Sequence, residues 1–425
     1  MQHASRTCVF ALAFALATGA PSFALANEAE PGSSVESLLA LAKERNPEYA
    51  GMRHEAQAAG ERVAPAGALP DPKLRVELED ITKMGEQNPT LLPGRVGGTR
   101  YTFMQDLPWF GKRELKRDIA SFEAAGAQGR ALGSWAELSA RIKTGYAQFF
   151  YIQQNERLTR EILDLMVRLE KIAQVRYAGG LAAQQDVIRT QLEQTNLKNE
   201  LIALEHERHI TQARLNALVA RPASAPLAQP ERLRPLPAPE SLDYAALEDR
   251  VRSRSPQLVA EDARTRAAEK TRELTYKNRY PDVTVGIAPL QSRSSIKEWM
   301  LMVELNIPLQ QSSKRSQERE AEAMLAAARS RRDATTNQVL ADLSEAVFGL
   351  DTARRTETAI ANSLLPQAEL SYQSALASYQ NGKLDFATLL DSQRQIRQAK
   401  QSQIKLQAQG QARLADIERL LGEEL

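Results

Sequence analysis

Apolar residues in the first half of the chain predict one very long helix. No proline occurs between residues 108 and 222. Apolar side chains recur with a 4,3,4,3 spacing at Leu158, Ile162, Leu165, Leu169 and Ile172. This spacing is that of the a and d positions of a coiled coil. We therefore predict a helix over residues 112–177, about 100 Å long, which needs partners of similar length to cover its apolar seam.

Two stretches before this helix alternate between apolar and polar residues. They cover residues 73–80 and 99–107, and they follow shorter helices predicted over 35–45 and 48–68. Alternation with a period of two is typical of strands with one apolar face. After the long helix, Tyr177-Ala-Gly-Gly180 predicts a reversal, because glycine accepts φ > 0 at a helix end. The last helix is predicted over residues 184–219.

The same order of elements returns in the second half of the chain. Tyr379-Gln-Asn-Gly382 follows Tyr177-Ala-Gly-Gly180 at an offset of 202 residues, which holds from the head of the long helix onward. A run of matches in constant register indicates an internal duplication. We predict a first repeat over residues 35–219, a proline-rich connector over 220–240 and a second repeat over 241–422. The second repeat contains a first helix, strands 282–288 and 298–307, a long helix 314–379 and a last helix 384–421.

The four predicted strands are too few to close on themselves. Small closed barrels start at about eight strands, and open sheet edges do not occur in hydrocarbon. The strands are close to the length that spans a bilayer at a tilt. Trp109, Phe110 and Trp299 fall near opposite ends, as in an aromatic girdle. These features favour a sheet that enters a membrane as part of an oligomer; a small soluble sheet that caps a coiled coil is the alternative.

Composition limits the classes of function. The chain has 55 basic and 53 acidic residues, a balance that argues against a nucleic-acid partner bound through its phosphates. It has no G-x-S-x-G, P-loop or G-x-G-x-x-G motif and only four histidines. We therefore predict that the protein is not an enzyme and needs no cofactor.

The N-terminal segment is typical of an export signal. Arg6 precedes an apolar run that is too short to span a bilayer, and Ala24-Leu25-Ala26 is a small-x-small cleavage site. We predict a signal peptide over residues 1–26. The only cysteine, Cys8, lies inside it, so we expect no thiol, disulfide or lipid anchor in the exported chain.

Several motifs together resemble the TolC-like outer-membrane efflux proteins over nearly the whole exported chain. Besides the two-fold repeat and the paired Tyr-x-x-Gly tips, they are Leu69-Pro70-Asp71-Pro72, Gln105-Asp106-Leu107-Pro108-Trp109-Phe110-Gly111-Lys112-Arg113 and Leu364-Leu365-Pro366-Gln367-Ala368-Glu369. The resemblance implies a mainly α chain with a four-stranded β portion that assembles as a homotrimer. Three chains then give a 12-stranded outer-membrane β-barrel continuous with a long periplasmic α-helical barrel.

The resemblance also implies a function in the outer membrane of a Gram-negative bacterium. Such proteins are passive exit ducts of tripartite efflux pumps, and their partners are a periplasmic adaptor, an inner-membrane RND-type transporter and outer-membrane lipid. The Leu-Pro-Asp-Pro and Pro-Trp-Phe-Gly-Lys-Arg sequences look most like the branch that serves heavy-metal cation pumps. Many ducts of this family are lipoproteins, and this chain departs from them. The alternatives are a multidrug or type I secretion duct and, from another class, a periplasmic coiled-coil scaffold without a pore.

Carboxylates near the two tip turns are the candidate gate. Asp186 begins the helix after the first turn, and Asp385 and Asp391 follow the second. In a trimer each would form a ring of three charges, which favours cations. The resemblance maps gate positions onto Asp186 and Asp391, while another such position carries Thr388. Arg189 is equivalent to Asp391, and we hypothesise a salt bridge between repeats that holds the entrance shut. Interaction with the helix dipole is the alternative reason for carboxylates here.

The tips are also the candidate contact with the adaptor. The residues concerned, which first of all form the turns, are Tyr177, Gly180, Tyr379 and Gly382. In the second repeat, Pro366 is predicted to kink the long helix before its tip.

No metal site is predicted. Met300 and Met302 lie on the polar face of their strand, with Met104 on the equivalent face of the first repeat, and thioethers suit soft ions. Methionine, however, usually fills gaps in a core. His206 and His209 lack a clear third ligand, and we interpret them as part of a solvated helix face.

Overall fold

Helices dominate residues 31–425, the part of the chain that the computed structural model describes. The predicted signal peptide, with Cys8, lies outside this part. The helices are α1 (Val35–Arg45), α2 (Pro47–Glu61), α3 (Val63–Gly67), α4 (Lys112–Ala178), α5 (Gln184–Leu218), α6 (Tyr244–Arg254), α7 (Pro256–Lys277), α8 (Gln311–Ala359), α9 (Leu365–Gln380) and α10 (Phe386–Leu421). The strands are β1 (Lys73–Glu79), β2 (Gly98–Leu107), β3 (Asp282–Ser292) and β4 (Ser295–Asn306). The predicted fold class, mainly α with a four-stranded sheet, is confirmed.

None of the helices within residues 31–425 is both long enough and apolar enough to cross a membrane.

Prolines set helix boundaries that the sequence pattern missed. The helix predicted over residues 48–68 is divided into α2 and α3 at Arg62, because Pro65 has no N–H to donate to the carbonyl one turn earlier. The second long helix is also divided, by a π-helical turn at Ile360–Leu364 between α8 and α9. Pro366 stands in the first turn of α9, where its ring would clash with the carbonyl four residues earlier in an unbroken α-helix. A local change of helix type therefore accommodates Pro366, at the place where a kink was predicted.

The first long helix is unbroken over 67 residues, but its buried face differs from the predicted seam. Leu165 and Ile172 are only partly buried, whereas their neighbours Met166 and Ala173 are fully buried. The buried row therefore follows the period of about 3.6 residues of an undistorted helix more closely than the heptad period of 3.5.

The four strands form one antiparallel sheet in the order β1-β2-β3-β4, so β1 and β4 are its edges. β3 continues beyond its predicted end at residue 288 and passes through Pro289 to Ser292. Its pairing with β2 is interrupted at Ala288 and Pro289, because proline has no N–H for the ladder. β4 begins earlier than predicted, at Ser295, because it forms a tight hairpin with the end of β3.

One face of the sheet is apolar and exposed. Residues in register form rows across the four strands, and one such row is Leu74, Phe103, Ile287 and Leu301. These side chains are between 46% and 81% exposed. By contrast, Thr102 and Met104 on the other face are buried. A sheet with water on one side normally turns its apolar face to the core, so this sheet has the inverse polarity.

The helices form a layer of four columns in the same order as the strands. α2 and α5 lie along one side of α4, and α7 and α10 lie along its other side. α8 and α9 pack against the column of α7 and α10. The columns of α2/α5 and α8/α9 are therefore the two edges of the layer. Large apolar side chains are exposed at both edges: Ile188, Leu192 and Ile202 on α5, and Met324, Phe348 and Leu370 on α8 and α9.

An ion cluster around the buried Lys143 and Glu418 joins the two halves of the chain. Lys143 Nζ of α4 lies 2.8 Å from Glu418 Oε2 of α10 and 2.9 Å from Glu424 Oε1. Arg234 of the connector binds the other Glu418 oxygen at 2.7 Å. A buried carboxylate is tolerated only with such partners. The connector predicted over residues 220–240 therefore packs against the helices and helps to hold α4 against α10.

Candidate functional site

The two tip turns share one backbone geometry. Gly180 and Gly382 have positive φ angles of 70° and 71°. In the first turn the N–H of Leu181 donates to the Arg176 carbonyl at 2.8 Å, and the N–H of Gly180 donates to the Tyr177 carbonyl at 3.0 Å. The second turn repeats both bonds. This pattern closes a helix with a left-handed residue, which glycine adopts without strain, so the turn-forming role predicted for both glycines is confirmed.

The two tip tyrosines occupy different environments. Tyr177 is 48% exposed, whereas Tyr379 is 2% exposed. The Tyr379 ring packs edge-on against Phe386 with centroids 5.4 Å apart, inside the apolar core of the tip. The structure therefore does not support Tyr379 as a contact for an adaptor, because its own chain covers the ring. Gly180 and Gly382 are exposed together with Tyr177.

Arg176, in the last turn of α4, binds the two tips together. Its guanidinium donates to the carbonyls of Tyr379, Gln380 and Leu181, the last two at 2.9 and 3.2 Å. The guanidinium carbon also lies 4.7 Å from the centre of the Tyr379 ring, within the range of a cation–π interaction. The guanidinium of Arg176 therefore binds carbonyls at the C-terminal ends of α4 and α9, where the helix dipoles favour positive charge.

Asp186 and Asp385 lie in opposite electrostatic environments, although each begins a helix. Asp385 is the N-cap of α10, and hydrogen bonds from the Thr388 hydroxyl and backbone N–H lower its pKa. Asp186 stands in the first turn of α5, whose N-cap Ala183 provides no side-chain bond. Burial raises the pKa of Asp186, Arg189 opposes this shift, and the charge of Asp385 adds to it. The two carboxylates are thus close enough to influence each other.

The salt bridge hypothesised between Arg189 and Asp391 does not occur within one chain over residues 31–425. Arg189 instead acts on Asp186 and Asp385, since its charge lowers the pKa of both. Asp391 is exposed on α10, more than one helical turn beyond the Asp385 cap. Asp186, Asp385 and Arg189 are therefore close enough for their charges to influence one another.

The predicted interface aromatics lie toward opposite ends of the sheet. Trp109 stacks on Tyr280 with centroids 5.3 Å apart and planes inclined by 7°, and Phe110 beside it is exposed. Trp299 is exposed on β4. It lies about 20 Å along that strand from Leu305, which is in register with the last residue of β2. Lys112 fastens the start of α4 to β3 through a 2.9 Å contact with the Asp282 carboxylate. The aromatics stand where interface residues would lie if the sheet crossed a bilayer.

The side chains considered as metal ligands in the sequence lie on helix α5 and on the sheet. Within residues 31–425, no group of three or more His, Cys, Asp or Glu side chains is arranged to hold a metal ion. His206 and His209 are exposed on α5, in agreement with a solvated helix face. Met104, Met300 and Met302 share the face of the sheet opposite the exposed apolar one.

The hydrogen bonds by which Arg176 joins the two tips were not predicted from the sequence. A signal was present, because a basic residue in the last turn before a terminal glycine can bind the final carbonyls of a helix. The repeat offered a second signal, since the position equivalent to Arg176 carries Ser378. The bond between Asp385 and Thr388 also had a sequence signal, because an aspartate before a helix commonly accepts a hydrogen bond from the residue three positions later.

A sequence model of the family described as outer membrane efflux protein matches residues 38–221 and 247–423. These segments cover most of both predicted repeats. Among curated proteins, the cobalt-zinc-cadmium resistance protein CzcC of Cupriavidus metallidurans is 23% identical over 403 residues, which are 93% of this chain and 91% of that protein.

Solved structures share the architecture. The outer membrane protein VceC of Vibrio cholerae is similar with a TM-score of 0.78 at 18% identity, over 92% of this chain and 96% of that chain. CusC, whose structures concern folding and transmembrane channel formation, gives a TM-score of 0.78 at 14% identity over 92% of each chain. The MtrE outer membrane channel of Neisseria gonorrhoeae gives 0.74 at 14% identity, over 92% and 89%. At these identities the likeness shows the fold alone.

Asp186→Asn is expected to stabilise the tip at neutral pH. Because the folded state raises the pKa of Asp186, the ionised carboxylate costs stability above that raised pKa. The cost, and with it the benefit of Asn, should disappear as the pH falls below the ordinary value of 3.8. Protection of the Gly180 and Leu181 amides against hydrogen exchange, corrected for intrinsic rates at about pH 7 and about pH 2.5, measures the effect.

Asp385→Ala is the matched variant with the opposite sign. The folded state lowers the pKa of Asp385, so its contribution is present above the ordinary value and is lost as the pH falls through the lowered pKa. The alanine variant should therefore lose protection at neutral pH and differ less from the parent in acid. Effects of the same sign for both variants would refute this account of the tip.

Proposed function

Because the chain belongs to the outer membrane efflux protein family, we propose that three copies form one continuous duct, the exit of a tripartite efflux pump. Proteins of this family are channels and not enzymes, and this one lies in the outer membrane with a part in the periplasm. In the proposed assembly three sheets close a 12-stranded barrel, and 12 helical columns enclose the periplasmic passage. The observation that carries the proposal is a sheet with two open edges and an exposed apolar face.

The open strand edges favour an oligomer. In hydrocarbon each unpaired backbone N–H or C=O costs several kcal/mol, and β1 and β4 each have one unpaired side within a chain. Pairing β1 of one copy with β4 of the next satisfies both, and such head-to-tail contacts can close into a ring. Two copies would make a barrel of about eight strands, whose interior is filled by side chains. Three copies leave room for a passage.

The helical layer has matching open edges. Ile188 and Ile202 are exposed on α5 at one edge, and Phe348 and Leu370 are exposed on α8 and α9 at the other. Covering such apolar area contributes about 25 cal/mol for each Å² removed from water. Contact between the two edges of neighbouring copies would therefore close the helical layer in the same direction as the sheet.

Engineered cysteines should link neighbouring copies through the sheet. We expect at least one pair that combines a β1 position, Leu74 or Val76, with a β4 position, Leu301, Val303 or Leu305, to give covalent dimers and trimers on oxidation. Disulfides need Cα atoms roughly 4.4–6.8 Å apart, so only pairs in register react. Denaturing gels of outer-membrane fractions provide the measurement, and the exported chain is expected to have no thiol of its own.

A pair inside one chain controls for oxidation. Val285 and Val303 are directly opposite each other in β3 and β4, so cysteines there should form an intrachain bond without dimers. If this control closes while every β1–β4 combination remains monomeric, the proposed ring is refuted.

The tips form the proposed periplasmic gate. Asp186, Asp385 and Arg189 are grouped in each chain, and Asp391 is exposed nearby on α10. Three-fold repetition would turn each carboxylate into a ring, and rings of carboxylates make a pore select cations. Arg176 ties the two tips of one chain to each other, so we expect the tips to move together when the gate opens.

Replacing Asp186, Asp385 and Asp391 together by asparagine should reduce cation selectivity, because the rings lose their charge while helix caps survive. In planar bilayers under a KCl gradient, the reversal potential should shift toward zero. Glu207→Gln is the control. Glu207 is exposed on α5, the helix that contains Asp186, and lies about 30 Å from Asp186 along that helix. An unchanged reversal potential in the triple variant would remove the tips as the selective element.

The partner at the tips is proposed to be a periplasmic adaptor that also contacts an inner-membrane transporter. Tyr177, Gly180 and Gly382 are exposed at the turns. Val175 and Leu181 beside them are large apolar side chains that are also exposed. Apolar side chains at the end of a rod favour a protein contact.

Heavy-metal cations are the proposed cargo. Support comes from the similarity to a cobalt-zinc-cadmium resistance protein and from the acidic groups at the tips, which suit cations. The passage itself needs no energy input, since in a tripartite pump the inner-membrane transporter provides it.

A strain that lacks this protein should become more sensitive to heavy-metal ions such as Zn²⁺, Co²⁺ and Cd²⁺, and should keep its resistance to detergents and dyes. Growth at graded concentrations, with and without a plasmid copy, measures the effect. Sensitivity confined to detergents and dyes would assign a multidrug duct of the same fold. An exported chain that purifies as a water-soluble monomer would favour a coiled-coil scaffold and refute the duct.

A further inference from the structure

Met104, Met300 and Met302 gather on one face of the sheet. Met104 of β2 lies opposite Gly286 of β3, and Met302 of β4 lies opposite the same glycine from the other side. Met300 stands two residues from Met302 and opposite Ala288 of β3. Because side chains alternate along a strand, all three share the face opposite the exposed apolar one, which lines the passage in the proposed trimer.

Glycine in the central strand lets two of these methionines approach each other. A Cβ atom on Gly286 would lie 3.1 Å from Cγ of Met104 and 3.1 Å from Cε of Met302. Each of these carbons is bonded to a thioether sulfur, so both sulfurs lie close to the glycine, one on either side. The backbones of β2 and β4 are about 10 Å apart across β3, a distance that two methionine side chains can bridge. Ala288, two residues from Gly286 on the same face of β3, is also small and lies opposite Met300.

Thioethers have a defined preference among metal ions. They are soft, neutral ligands that select Cu(I) over hard ions such as Mg²⁺ and Ca²⁺. A passage also needs sites that bind weakly enough to release the ion, and ligands without charge meet this condition. We propose that Met104, Met300 and Met302 bind a soft monovalent cation, Cu(I) or Ag(I), on the inner face of the sheet. The proposal rests on the proposed duct, because only the closed barrel makes this face the wall of a passage.

The surrounding charges are compatible with a bound cation. Lys73 is opposite Met104 in β1, but its ammonium lies 2.7 Å from the Asp106 carboxylate, which also accepts the Thr284 hydroxyl at 2.7 Å. The positive charge of Lys73 is therefore matched. Glu304, two residues beyond Met302 on the same face, adds a negative charge.

The same face carries a second cation in the neighbouring row. Arg75 is opposite Thr102, and its guanidinium lies 3.8 Å from the Glu77 carboxylate. No uncompensated positive charge of the described strands β1 to β4 is therefore placed in the two rows that hold the methionines. A purely space-filling role for the methionines predicts the same packing without ion binding, and leucine would then serve equally well.

Silver titration of the purified trimer in detergent tests the proposal. The parent carries glutamine in place of the exposed His54, His206 and His209, so that imidazoles do not compete. Calorimetry in chloride-free buffer should show about one Ag⁺ bound per chain. Replacing the three sheet methionines by leucine should weaken Ag⁺ binding by about tenfold or more, and Met324→Leu on α8, whose side chain is exposed on a helix, should leave it unchanged.

Two further readouts separate the possible failures. In the protein with an unsubstituted sheet, the ε-methyl NMR signals of Met104, Met300 and Met302 should shift when Ag⁺ is added. The signals of the other methionines should not shift. This measurement does not depend on whether a sheet variant folds. Trimer bands and ion conductance report on the duct itself. A conducting trimer whose methyl signals do not move, or whose leucine variant binds Ag⁺ equally well, overturns the metal site alone. A protein that forms neither trimers nor conducting pores overturns the proposed function with it.

Discussion

The backbone of a sheet in hydrocarbon must pair all its polar groups, and the proposed assembly of this molecule depends on that requirement. Within one chain the sheet is open at β1 and β4, and its exposed face is apolar. In the proposed assembly this sheet is one segment of a larger closed surface. The helices repeat the arrangement, because each strand pair is continuous with two helical columns in the same order. The open edges of both layers lie on the same sides, so one contact between copies can close both.

The two halves of the chain share an architecture but differ where charge is placed. Both tips turn through a left-handed glycine with the same hydrogen bonds. Yet the clamp at the tips comes from Arg176, whose equivalent is Ser378, and the carboxylate stands inside the helix at Asp186 but at the cap at Asp385. The duplicated backbone therefore provides the scaffold, and the departures from the repeat provide the electrostatics of the tip.

Buried charges fasten distant parts of one chain to each other. Lys143, Glu418 and Arg234 tie α4, α10 and the connector to each other, and Lys112 with Asp282 ties the start of α4 to the sheet. Removing one partner from such a group leaves a buried charge uncompensated, which costs more than an exposed ion pair contributes. The junction between sheet and helices is thus held by contacts within one chain.

Local periodicity and turn chemistry determined the order of elements in this protein. The alternation in the strands, the proline-free long helix and the glycines at Gly180 and Gly382 act over a few residues, and the sequence alone places them. Packing between distant segments decided the rest: which turns of α4 are buried, as at Met166 and Ala173, how β3 passes through Pro289, and why Tyr379 is covered while Tyr177 is exposed. The same holds for the partners of Arg176 and for the approach of Met104 and Met302 over Gly286. These features depend on which elements become neighbours, and the spacing along one segment carries no information about the side chains that a neighbour brings.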